Sequence, residues 1–310
     1  MVHPEHRVLV VGAAGLDVKI TPRAATESER SNPATIDWGW GGVARNMAEN
    51  LALLGAEVHL ITAVGDDWRG QALLHHLGEL GIDTQACVIS KEQATASYAA
   101  LFHQDMRLSV AFEDMSVMRE ITAGYLDRHR SLVRQADIVC LDANLSPGAL
   151  ETLFGLTAEY DVLVCADPTT PLLAHRLQPY LSRITAITPD LAEAEALVGA
   201  ELEGEEAISV GARKLVQAGV DLAIVTLGAG GLYYATNEES GRINAFPVDV
   251  VDPVGAGDAL TAAVAYGLLE EISLEEAVRL GMAAAAQTVA CRDAVCPYLT
   301  LELLYERLIS

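Results

Sequence analysis

Short apolar, β-branched runs alternate along this chain with stretches whose apolar positions recur at helical spacing. The runs at 7–12 (RVLVVG), 57–65, 137–143 (DIVCLDA), 161–168 (DVLVCADP), 184–190, 222–228 (LAIVTLG) and 231–236 read as strands. Helical patterns fall near 43–54, 69–80, 122–135, 147–157, 190–198, 205–218, 257–270, 273–290 and 300–308. Strands that are apolar throughout and alternate with helices predict an α/β protein with a mostly parallel sheet covered on both faces. Ligands of such sheets bind beyond the carboxyl ends of the strands. Two segments, about 16–38 and 84–113, alternate apolar and polar residues without a helix, and HQDMR inside the second marks a hairpin turn. They predict a small β-layer, a lid, beside the early strands. No linker or repeat interrupts the pattern, so residues 1–310 are expected to form one domain carrying that lid.

Composition narrows the chemistry. The chain has 310 residues, 51% hydrophobic and 20% charged, and no apolar run reaches the roughly 18–20 residues of a membrane span. Its formal net charge is −23, and its only lysines are Lys19, Lys91 and Lys214. Such a surface repels nucleic acid and anionic membranes, so neither is an expected partner. Any phosphate site must then rely on backbone amides, metal ions or a few arginines. The start, MVHPEHRVLVVG, shows no signal-peptide pattern. Cys140 and Cys165 lie in apolar runs, and the five cysteines are scattered, so buried thiols are expected rather than disulfides or metal ligands. A cytoplasmic protein is the expectation.

VDPVGAGDAL (251–260) places Asp252 and Asp258 around a Gly255-Ala256-Gly257 turn that opens a long Ala-rich helix. Unpaired amides and the helix dipole make such a start a seat for an anion, with Asp258 beside it as a proton acceptor. A helix cap on a tight turn accounts equally for the decapeptide. GWGGVARNMAENLALLG (39–55) sets Gly41-Gly42 before an amphipathic helix whose first turn holds Arg45 and Asn46. That mixture of close backbone approach, donor and acceptor suits hydroxyl-rich ligands, or an ordinary capped loop.

In GAAGLDV (12–18), the third glycine of a dinucleotide fingerprint is missing. Asp17 there can bind two sugar hydroxyls or stabilise a turn. In ITPDLAEAEALVG (187–199), Asp190 and Glu193 have capping-box spacing, and could instead hold Mg²⁺ through water. VTLGAGGLYY (225–234) reads as strand, glycine turn and strand, with Gly228, Gly230 and Gly231 able to lie against a nucleotide. The chain has no P-loop, nucleophile elbow or zinc spacing, and His75-His76 reads as a surface pair.

In this order, the Gly-Gly-x-x-x-Asn helix, the lid, the T-P-x-x-x-E element and the late D-x-x-G-A-G-D helix resemble the ribokinase-like (PfkB) family of sugar and nucleoside kinases along essentially the whole chain. The resemblance implies a three-layer α/β/α sandwich with a β-sheet lid, ATP with Mg²⁺, and phosphoryl transfer to an alcohol. It implies Asp258 as the base, and the amides of Gly255, Ala256 and Gly257 as the anion hole. Asp17, Gly41, Gly42, Asn46 and Asn144 would hold the acceptor. Asp190, Thr226, Gly228 and Gly231 would line the ATP site, with Glu193 at the metal. Asp252 would belong to a monovalent-cation (K⁺) loop, and the chain would pair through its lid into a homodimer, as relatives often do.

Two departures stand out. Asp190 replaces the usual Asn of that element, and VACRDAVCPYL (289–299) lacks a glycine common in the cation loop. Within the family, three stretches resemble the pseudouridine kinases: SNPATIDWGWGGVARN from Ser31, EDMSVM with the following ITAGYL, and DANLS at 142–146. Phosphorylation of the 5′-hydroxyl of pseudouridine is therefore the expected activity, with Ser31, Asn32, Tyr98 and Asp114 as candidates for reading the base. A ribokinase or other sugar or nucleoside kinase is the alternative, and a non-catalytic sugar sensor the remote one.

Overall fold

The computed structural model describes residues 6–104 and 107–309. In chain order its strands are β1 (Arg7–Val11), β2 (Gly15–Pro22), β3 (Ala34–Gly41), β4 (Glu57–Ile61), β5 (Ala63–Gly65), β6 (Val88–Ser90) and β7 (Ala96–Phe102). They continue as β8 (Leu108–Asp114), β9 (Ile138–Asp142), β10 (Leu163–Asp167), β11 (Ala186–Ile187), β12 (Leu222–Thr226), β13 (Leu232–Ala235) and β14 (Ser240–Ile243). Eight of them form one sheet in the order β14-β13-β12-β11-β10-β9-β1-β4. All its pairings are parallel except the antiparallel β12–β13–β14 edge.

The continuous apolar strands are buried on both faces because a strand sends alternate side chains to opposite sides. Leu9 and Val11 of β1, with Val139 and Leu141 of β9, enter one core beneath the helices that run through Phe154, Ala194 and Leu215. Val8, Val10, Ile138 and Cys140 enter the other, beneath Met47, Leu51 and the Ala-rich helices Ala256–Leu269 and Leu274–Val289. The result is a sheet between two helical layers. No helix of the described residues is long and apolar enough to cross a membrane.

A second sheet, β3-β2-β7-β8, stands apart from the first. Its β2 begins four residues after β1 ends, across the Gly12-Ala13-Ala14 turn, so it rises at the carboxyl end of the main sheet. The 84–113 segment contributes β7 and β8 to it, whereas β6 pairs in parallel with β5 as a separate two-stranded sheet. In the HQDMR turn, His103 N donates to Arg107 O at 2.8 Å, and Asp105 and Met106 lie outside the described residues.

Several boundaries differ from the sequence pattern. The 57–65 run divides into β4 and β5, which pair in different sheets. The 122–135 pattern is two helices, Ala123–Arg128 and Arg130–Gln135, separated at His129, whose backbone leaves the helical region (φ −102°, ψ 17°). The 171–183 helical stretch escapes sequence reading because Pro171 and Pro179 punctuate it. The expectation that all cysteines are free thiols is wrong for two of them. The bends after the Leu274–Val289 helix bring Cys291 and Cys296 together as a disulfide, while Cys140 and Cys165 are buried thiols on neighbouring strands.

Candidate functional site

The site lies where four chain segments meet at the carboxyl ends of β1, β9 and β10. Its organising group is Asp142, the last residue of β9 and fully buried. Its carboxylate accepts from Ala13 N (2.7 Å), Ala44 N (3.2 Å) and Asn144 N (2.9 Å). It therefore ties the β1–β2 turn to the start of the Val43–Leu53 helix. Gly42 caps that helix with φ 95°, and a Cβ there would lie 2.5 Å from Ala13 O. A Cβ on Gly41 would lie 2.1 Å from Asp17 Oδ1. The glycine pair is thus the condition for bringing Asp17, the turn and the helix start together. Burial pushes Asp17 up to about 6 against the pull of Lys19 and Arg45.

Gly255 caps the Ala256–Leu269 helix in the left-handed region (φ 86°), and its Cβ position is filled by Ala294 O, 1.9 Å away. This brings the first-turn amides and Asp258 to the open end of the sheet. Asp258 Oδ2 accepts from Asn46 Nδ2 at 2.6 Å, and Asn46 Oδ1 accepts from Arg45 Nη1 at 2.5 Å. Burial pushes the Asp258 carboxyl up to about 7; the Asn46 donor and Arg45 lower it, while the charges of Asp142 and Asp17 raise it. A carboxylate held this way beside helix-terminal amides can take a proton next to a bound anion.

A cleft of about 860 Å³ opens from Asp258 along the helix start. Thr226, Gly228, Gly231, Asp190, Glu193, Ala256 and Gly257 line it, with Phe246 and Met282 among its apolar walls. Gly228 to Gly230 form the turn between β12 and β13, as the glycine spacing suggested. Asp190 and Glu193 make a reciprocal capping box: Glu193 N donates to Asp190 Oδ1 (2.8 Å) and Asp190 N to Glu193 Oε2 (2.9 Å). Burial pushes Glu193 up to about 7.

Asp142 and Asp167 were not singled out from sequence, although each ends an otherwise apolar strand (IVCLD, LVCAD), which is a readable signal on a parallel sheet. Asp167 lines the cleft, and burial with the charges of Asp258 and Glu193 holds it well above the ordinary carboxylate range.

Other expected residues sit as follows. Asn144 is bound to Asp142 through its backbone and side chain. Asp252 receives the Lys19 ammonium from β2 and the Val254 amide (3.0 Å). In this arrangement the Asp252 carboxylate ties the small sheet to the loop before the Gly255 turn. Tyr98 on β7 is in register with Asp17, whereas Asn32 and Asp114 make local turn contacts with Glu27 N and Ser116 N. Ser31 is exposed. His76 bonds Glu49, and among the described residues no group of three or more His, Cys, Asp or Glu is placed to hold a metal.

The profile of the pfkB family carbohydrate kinases matches residues 5–300. Pseudouridine kinase of Escherichia coli K12 is 32% identical over 295 residues, 95% of this chain and 94% of that protein. Ribokinase of Haemophilus influenzae is 28% identical over 262 residues, 82% of each. Arabidopsis thaliana ribokinase, solved with ribose and ATP, superposes with a TM-score of 0.87 at 24% identity, over 98% of each chain. The two layers of helices, the central sheet and the small separate sheet are those of the ribokinase-like fold.

Proposed function

Because the chain belongs to the pfkB family of carbohydrate kinases and is an ATP-dependent kinase, we propose that it phosphorylates the 5′-hydroxyl of pseudouridine. The observation that carries the reading is the Asn46–Asp258 hydrogen bond beside the Gly255-capped helix, at the mouth of the nucleotide-sized cleft. Similarity to a pseudouridine kinase over nearly the whole length supports the choice of acceptor.

In this reading Asp17, Gly41, Gly42, Asn46 and Asn144 hold the ribose, and the nucleotide lies along Thr226, Gly228 and Gly231. Asp258 takes the proton of the 5′-hydroxyl as its oxygen bonds the γ-phosphorus. The bond from that phosphorus to the β-phosphate oxygen breaks, and ADP leaves with the electron pair. The amides of Gly255, Ala256 and Gly257 face the charge on the transferring group, where positioning and electrostatics supply most of the catalysis.

Glu193 and Asp190 fit Mg²⁺, which takes one or two carboxylates together with nucleotide phosphates. Glu193 is held partly protonated by its buried, acidic surroundings, a condition a cation relieves. When bound, Mg²⁺ neutralises phosphate charge. On the small sheet, Ile36, Trp38, Val110 and Phe112 are exposed, which supports pairing of two copies through that face.

The test is incubation with Mg²⁺ and ATP over pseudouridine, uridine, ribose and fructose 6-phosphate, with each product weighed by mass spectrometry. A pseudouridine monophosphate is the expected product. Phosphate on ribose alone would replace the acceptor, and no product from any acceptor would remove the reading.

A further inference from the structure

The Asn46 side chain is an amide with a donor end and an acceptor end, and only one of its two orientations suits a neighbouring carboxylate. Its donor end is on Asp258 Oδ2 and its acceptor end on Arg45 Nη1. Arginine carries no acceptor and stays charged. An Asn46 turned over would aim N–H at a guanidinium and C=O at a carboxylate, two repulsive contacts in a buried site. Taking Asp258 as the group that receives the acceptor's proton, we infer that Arg45 is a positioning residue for it, acting through the Asn46 amide.

Arg45 is itself held in place. It is only 4% exposed, its Nη1 also donates to Trp40 O (3.1 Å), and its Nη2 pairs with buried Glu49 at 2.5 Å. Glu49 Oε2 lies 3.3 Å from His76 Nε2, on the neighbouring Trp68–Glu79 helix. A continuous polar chain thus runs from Asp258 through Asn46, Arg45 and Glu49 to a partly exposed histidine. Its geometric consequence is at the reacting end. With Oδ2 engaged by Asn46, Oδ1 of Asp258 has no hydrogen-bond partner among the described residues and is the oxygen left for an acceptor hydroxyl.

The surroundings explain why a fixed donor is needed. Asp17 from β2, Asp142 from β9, Asp167 from β10 and Glu193 from the Leu191–Val198 helix all act on Asp258 as like charges, and Arg45 from the Val43–Leu53 helix opposes them. The Arg45 Nε atom is buried without a hydrogen-bond partner among the described residues, an unpaired donor that costs stability. That cost is intelligible when the orientation serves the neighbouring carboxylate.

The test follows the Asp258 carboxyl by ¹³C NMR, assigned with Asp258→Asn, in wild type, Arg45→Met, Asn46→Leu and the double variant. Removing the Arg45 charge raises the Asp258 midpoint through space in any background. The positioning role adds a part that exists only while Asn46 is present. The midpoint rise on Arg45→Met is therefore expected to be larger in wild type than in the Asn46→Leu background, by about 0.5 pH units or more, and equal rises would overturn the inference. Turnover follows the same pattern. Arg45→Met lowers kcat about tenfold in wild type, with KM for ATP unchanged, and about threefold or less beside Asn46→Leu.

Arg45→Lys keeps a charge and a donor for Asn46 Oδ1, and is expected to hold the midpoint close to that of wild type. An Arg45→Lys midpoint raised by about 0.5 pH units or more above wild type contradicts the inference, a comparison that stands even if Arg45→Met does not fold. The titration needs no acceptor, so failure of every acceptor to react would remove the pseudouridine reading and leave this one to be decided by NMR.

Discussion

Asn46 and Asp258, 212 positions apart in the chain, meet in a 2.6 Å hydrogen bond at the open end of the central sheet. Each comes from the first turn of a helix whose cap is a glycine, and each glycine leaves room for a backbone carbonyl that a side chain would strike. The bond therefore depends on both motifs at once, and its removal is the simplest perturbation of the site. Asp258→Asn keeps the shape and removes the base. It is expected to lower kcat by about 10²–10⁴-fold while leaving KM for ATP nearly unchanged, measured by steady-state kinetics. Full activity in this variant would remove Asp258 from the reaction.

The pH dependence follows from the same burial. Asp258 and Glu193 both titrate near 7, and Asp258 must be ionised to receive a proton. Below that pH, kcat/KM is expected to fall about tenfold per pH unit, and above it to level off. The limb belongs to the interacting acids together, and Asp258→Asn should reshape it. A flat profile between pH 5.5 and 8 would contradict the assignment.

Stability carries the opposite sign. Asp17, Asp258 and Glu193 titrate at about 6, 7 and 7 in the folded chain, above their ordinary values of 3.8, 3.8 and 4.5. Between roughly pH 4 and 7 the folded chain therefore binds more protons than the unfolded one, so these groups' contribution to stability falls as pH rises through that window. Asp258→Asn removes a buried charge, and should raise Tm at pH 8 by several degrees and at pH 5 by less. Thermal melts at the two pH values check this, and an equal or larger gain at pH 5 would reverse the sign.

Gly41 is a narrower probe of the acceptor side. A methyl there would stand 2.1 Å from Asp17 Oδ1 and must displace it. Gly41→Ala is expected to raise KM for the acceptor about tenfold or more, an overpacking cost of roughly 1–3 kcal/mol, with KM for ATP unchanged. An unchanged acceptor KM would place Asp17 away from the acceptor.

The disulfide can be counted directly. Alkylation of the denatured, unreduced protein should label Cys87, Cys140 and Cys165, and labelling after reduction should reach all five cysteines. Five adducts without reduction would contradict the Cys291–Cys296 bond.

How much of this could be read from the chain depended on whether the information was local. Gly41-Gly42, Asn46 and the Gly255–Asp258 turn announce themselves, because helix starts and close approaches are coded within a few residues. The continuous apolar strands gave the parallel sheet for the same reason. Asp142 and Asp167 carry a local signal, an acid closing an apolar strand, but that they sit opposite one another on β9 and β10 is a matter of register, which no local pattern displays. The Lys19–Asp252 pair joins the small sheet to the loop before the anion site across 233 positions. Arg45 and Glu49 have the i,i+4 spacing of a surface pair, yet both are buried. Burial, not spacing, turned that pair into part of the site.

The most direct measurement is the ratio of kcat/KM for pseudouridine to that for uridine, with ATP and Mg²⁺. The two share the ribose hydroxyl that receives phosphate and differ in how the base is joined and in the N–H it offers. A site that reads that edge should favour pseudouridine by about tenfold or more, since a buried polar partner left unpaired is costly. A ratio near one, or a preference for uridine, would contradict the account of the acceptor.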